Sequence, residues 1–141
     1  MPKTFRPSNR EARIISRIES SKERARQRAI SQIKEQIEPL SNALTMKLIE
    51  NRLLETNSKE DIQKQISKCL DELIHAEEFE IAYQIAPFKT VVPRPNIISL
   101  YVTAFVIEKL INHKSVIDIF GSDEDIYRCI NDQFIRFIPD L

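Results

Sequence analysis

A single glycine, Gly121, stands in this chain of 141 residues, where ordinary usage gives about ten. Phosphate-binding loops, tight hairpins and nucleophile elbows need glycine where the backbone takes positive φ or approaches a ligand closely. One glycine supplies almost none of these. Helices joined by short polar connections need none, and seven prolines provide the punctuation. The balance of 42% hydrophobic and 30% charged residues is that of a folded domain. The length suits one domain with a real core. The expected fold class is therefore all-α: a compact bundle of five or six helices with a long N-terminal helix.

Local signals divide the chain. The first helix is expected after Pro7-Ser8-Asn9, where a side-chain oxygen can accept from a free amide. It is expected to run to about Glu38, since Pro39 clashes with a preceding helical turn. A second helix is expected from Ser41 to near Glu55, and a third from Ser58 through Ile62, Ile66, Leu70, Leu73 and Ile74. Residues 77–85 either continue the third or form a short helix of their own. Pro87, Pro93 and Pro95 forbid a helix in the next segment. Asn96 is read as the cap of a helix over 97–112, Val116–Phe120 as a β-prone run, and Ser122 as the cap of a last helix through Ile126, Ile130 and Phe134. Short strands are expected at 88–92 and 116–120. The core is expected to draw on Ile62, Ile66, Leu70, Ile74, Leu100, Ala104, Phe105, Ile107, Leu110, Ile111, Ile126, Ile130 and Phe134.

The sequence also suggests an internal repeat. Lys47-Leu48-Ile49 recurs as Lys109-Leu110-Ile111, and Ser58-Lys59-Glu60-Asp61-Ile62 as Ser122-Asp123-Glu124-Asp125-Ile126. Each Ser-x-x-Asp is a capping-box variant at a helix start. The organisation read from this is a long basic amphipathic helix over 1–40, serving as arm or dimerisation element, and a helical core over 41–141 built from two related hairpins.

Charge is unevenly placed. Net charge is zero, yet residues 1–34 hold ten Lys/Arg against three Glu, and the remainder eleven against eighteen Asp/Glu. Such asymmetry points to a basic arm on an acidic body. At helical spacing Arg10, Arg13, Arg17, Arg24 and Arg28 fall within a stripe about 60° wide and about 27 Å long. Arg6 joins it if the helix reaches that far. The stripe lies nearly opposite an apolar seam of Ile14, Ile15, Ile18, Ala25, Ala29, Ile33 and Ile37. It contains no glutamate, and arginine is used where lysine would serve solubility equally. Guanidinium grips carboxylate or phosphate in a fork. Three readings stand: a solvated face, a contact with an acidic protein (a second copy included), and a contact with nucleic acid. The capped helices themselves make poor DNA readers, because acids fill their first turns, where phosphates would lie.

Other chemistry is thinly represented. His75 and His113 are far apart, and no Cys-x-x-Cys or His-x-x-x-His spacing occurs, so neither a metal nor a cofactor is expected. Cys69 and Cys129 sit in apolar-periodic stretches and read as buried thiols. No nucleophile carries a flanking catalytic signature, so an enzyme is the least supported class. The longest apolar run, Ile97–Ile107, is about half of what a membrane span requires, and the basic N-terminus has no apolar leader core. A cytoplasmic protein without membrane partners is expected. The proline-stiffened loop offers Phe88, Val91 and Val92 as a second contact site, either tucked under the body or presenting a strand edge. The function expected from these residues is a non-enzymatic interaction or assembly module that self-associates, as a homodimer. Nucleic-acid binding through the arginine stripe is the alternative.

Overall fold

Proline 39 decides how the chain leaves its first helix. In the computed structural model, which describes residues 9–139, α1 spans Asn9–Glu35 without interruption and α2 spans Ile37–Glu50. The ring of a proline clashes with the carbonyl four residues earlier, which here belongs to Glu35. The helix breaks one residue later, at Gln36, whose φ of −125° and ψ of 21° leave the helical region. Pro39 then lies in the first turn of α2, where an amide would have no helical partner anyway. The second helix therefore starts four residues before Ser41. That serine is not a cap: its hydroxyl donates to the Glu38 carbonyl (3.0 Å) and accepts from the Ser67 hydroxyl (2.8 Å), inside the α2–α3 contact.

The remaining elements are β1 (Leu54–Thr56), α3 (Lys59–His75), α4 (Glu78–Ile85), α5 (Ile97–Glu108), β2 (Val116–Ile119) and α6 (Asp123–Phe137), with single 3-10 turns at Ala86–Phe88 and Leu110–Asn112. The architecture is an all-α bundle carrying a small two-stranded antiparallel sheet. Residues 77–85 form a separate short helix. Ser58 caps α3 through the Asp61 amide, and Ser122 with Asp125 forms a reciprocal capping box on α6. Asn96 caps α5 by accepting from the amides of Ile98 and Ser99.

The strand expected at 116–120 is present. Its partner is β1, with Leu54 opposite Ile119, Glu55 opposite Asp118 and a bulge before Thr56. The strand expected at 88–92 does not form. Phe88 ends a 3-10 turn that Pro87 helps to open, and the Val91 amide donates to the Phe88 carbonyl (3.1 Å), so the backbone turns here and does not extend. Phe88 is buried, and Val91 and Val92 are half-buried against the core, so no strand edge is offered there.

Two segments share one plan: α2–β1–α3 and α5–β2–α6 are each helix, strand, helix, and the strands pair with one another. Within the segments α2 packs on α3 and α5 on α6. Between them α2 meets α6 and α3 meets α5. α5 is buried on all sides from Ile98 to Val106, as expected of a central helix apolar around its circumference. Its two buried hydroxyls are satisfied: Ser99 donates to Asn131 Oδ1 (2.8 Å) and Thr103 to the Ser99 carbonyl (2.7 Å). Of the expected core, Ile74 and Ile107 are only partly covered, and Ile111 is 41% exposed. The helix over 97–112 stops at Glu108, and the 3-10 turn after Lys109 rotates Ile111 outward. Leu40, Leu44 and Leu48 of α2 complete the core.

The scarcity of glycine leaves a trace at the end of α2. The Leu53 amide bonds the Leu48 carbonyl (2.9 Å) and the Arg52 amide the Ile49 carbonyl (3.0 Å), the Schellman pattern. That pattern needs a left-handed residue, and Arg52 fills it with φ of 59°. Gly121, at φ of 86°, precedes the Ser122 cap; a Cβ there would lie 2.6 Å from Leu53 Cδ2.

Candidate interaction surface

Among its described side chains, α1 meets the body through Ala29 and Ile33, which are buried, and α3 is the helix it packs on most. Arg26 is half-buried and sends its guanidinium to Glu78 of α4, 3.4 Å away. On a helical wheel these three residues lie on one side. Arg13, Arg17, Arg24 and Arg28 lie on the other, and all four are exposed. Arg10 belongs to the same unbroken helix, but its side chain lies outside the described residues, as does Arg6 altogether. Ile14, Ile15 and Ile18 of the apolar seam are likewise outside them; Ala25 is exposed.

None of the four exposed arginines forms an ion pair among the described residues. The helix geometry explains why. Side chains meet at spacings of three and four, and at those spacings each of the four finds only Asn, Arg, Ser, Ile, Ala or Gln. Four positive charges therefore share an edge turned away from the body, with no carboxylate in register.

A second exposed feature lies on α4. Ile81 and Ile85 are buried, and Phe79 and Tyr83 stand on the opposite side at 68% and 85% exposure. α4 carries Glu78 and Glu80, follows Glu77, and has no basic residue. Beside it a cleft of about 310 Å³ is lined by Arg26, Glu78, Ile81, Ala82, Ile97 and Leu100. The aromatic pair is not among the contact residues expected from the sequence, although its i,i+4 spacing is a sequence feature.

The other clefts hold less chemistry. One of about 360 Å³ is bordered by Lys68, Cys69, Glu72, Lys109 and His113. Cys69 is buried, and burial pushes its thiol pKa well above the usual range, the wrong direction for a thiolate nucleophile. Cys129 is shifted the same way by burial, partly opposed by the Asn51 amide 3.3 Å from its sulfur. Another cleft, about 510 Å³, lies by Arg52, Glu55 and Phe120 at the β1 end of the sheet. Among the described residues no group of three or more His, Cys, Asp or Glu side chains is placed to hold a metal. No described helix is long and apolar enough to cross a membrane. Compared with known proteins, the chain matches no family model, no curated protein and no solved structure.

Proposed function

We propose that the chain is a non-enzymatic helical interaction module that self-associates, with the outward edge of α1 docking on an acidic surface of a second copy. One observation carries this reading: Arg13, Arg17, Arg24 and Arg28 line the side of α1 opposite its packed residues, exposed and without a carboxylate in register. The acidic surface is available on the same chain, since residues beyond 34 carry the excess of Asp and Glu. A protein with no net charge and separated signs is disposed to associate. Exposed charges are screened by salt, so sedimentation should show an oligomer at low ionic strength that dissociates as salt is raised. Charge reversal at Arg13, Arg17 and Arg24 should give monomer at all salt concentrations. A strict monomer of the wild-type chain at high concentration and low salt would end the proposal.

The alternative is a nucleic-acid contact, favoured by the same edge being purely arginine over about 27 Å, a length that spans several phosphates. It requires retention on heparin at low salt and binding to generic duplex whose affinity falls steeply with salt. Release of captured material by nuclease, in place of self-association, would decide for it.

A further inference from the structure

We infer that the outward face of α4 is the receptor for the arginine edge of the second copy, with Phe79, Tyr83 and Glu80 as its contact residues. The inference rests on the self-association reading and names the surface it uses. Among the described residues, Phe79 and Tyr83 are the most exposed large hydrophobic side chains, at 68% and 85%, and they stand on adjacent turns. Ile81 and Ile85 anchor the helix from its other side.

What covers them follows from chemistry and spacing. A guanidinium is attracted to an aromatic face and to a carboxylate, and arginine stacks on such rings better than lysine does. The α4 face offers both kinds of group: two rings one turn apart, with Glu80 three residues before Tyr83, and no positive charge anywhere on the helix. The α1 edge offers guanidinium groups with the same spacing, Arg24 and Arg28 being one turn apart. Two helices laid side by side thus match ring to guanidinium twice over, with Glu80 supplying the opposite charge. Ala82, exposed between Phe79 and the apolar cleft, lets a neighbouring helix approach closely.

The test is sedimentation equilibrium of the full chain at low salt, comparing wild type, F79A/Y83A and R24E/R28E, with helicity and melting checked for each. All four substituted residues are exposed, so the fold should be retained. Wild type should self-associate, and both variants should weaken association by roughly tenfold or more, the effect of truncating anchor residues. If wild type associates and R24E/R28E abolishes this while F79A/Y83A does not, the α4 receptor is wrong and the self-association reading survives. If wild type remains monomeric, both fall.

Discussion

Replacing Ile33 by alanine tests how firmly α1 belongs to the body. Ile33 is fully buried, and with Ala29 it makes up the buried face of α1 among the described residues. The substitution removes three carbons. At about 0.8 kcal/mol per buried methylene the lost transfer energy is about 2.4 kcal/mol. The cavity left against α3, which cannot collapse fully, raises this to about 3–4 kcal/mol, within the range for buried isoleucine truncations. A domain of this size has only about 5–15 kcal/mol to lose. Urea unfolding followed by circular dichroism should show one cooperative transition moved to lower midpoint with unchanged slope. The melting temperature should fall by about 10 °C, at about 3 °C per kcal/mol. Arg24→Ala, exposed and without an ion pair among the described residues, should change stability by less than about 0.5 kcal/mol. A loss below about 1 kcal/mol for Ile33→Ala would refute the docking argument. So would a separate early transition that alone responds, because α1 would then unfold independently of the core.

Two further outcomes follow from local geometry. Arg52→Gly should stabilise the protein by about 0.5–1 kcal/mol in the same urea assay, since φ of 59° strains an L side chain and the Schellman bonds use only backbone; destabilisation would mean that the Arg52 side chain matters where it borders the 510 Å³ cleft. Ser115→Ala should make the wild-type advantage pH-dependent: the Ser115 hydroxyl donates to Asp61 Oδ2 (2.6 Å) and is the main cause of that carboxyl's lowered pKa. A carboxyl whose pKa is lower folded than unfolded contributes stability that is fully present above the unfolded value, near 3.8, and lost as pH falls through the folded one. The difference between wild type and S115A should therefore narrow below pH 3.8, and a difference constant down to strong acid would refute it.

The parts of this fold legible in the sequence are those where two signals coincide. α3 and α6 combine a Ser-x-x-Asp cap with apolar residues at i and i+4, and in both the cap marks the helix start within a residue, while α6 runs on past Phe134 to Phe137. Where one signal stood alone it misled. Pro39 marks a helix boundary but not on which side of the break it sits; only the first turn of α2 resolves that. β1 is three residues long and has no alternation of its own, so nothing local marks it as the partner of β2. The loop residues Phe88, Val91 and Val92 are apolar in a proline-stiffened segment, which fits packing and presentation equally, and burial decides for packing. The site was half legible. Arg13, Arg17, Arg24 and Arg28 could be placed on one edge because charge patterning on a long helix is unambiguous once the helix is continuous. The α4 face could not: Phe79/Tyr83 and Ile81/Ile85 are two apolar pairs with identical spacing on a two-turn helix, and only tertiary contacts say which pair is buried.

That ambiguity bears on where a partner can bind. The segments α2–β1–α3 and α5–β2–α6 satisfy each other: their strands pair, and their helices cross-pack, α2 on α6 and α3 on α5. α1 and α4 lie outside this plan, each held by two described buried aliphatic residues, Ala29 and Ile33 on α1 and Ile81 and Ile85 on α4. Most of the described circumference of each is free of the packing constraints that fix core residues. On α1 that freedom is used for guanidinium groups without counterions, and on α4 for aromatic rings beside carboxylates. Solubility alone asks for neither, since lysine and glutamate interspersed on both helices would serve it better. The two complementary halves of a cation–aromatic contact thus stand on two different helices of one molecule, linked by the exposed Arg26–Glu78 pair, and the proposed association of a second copy is the arrangement that would bring them together.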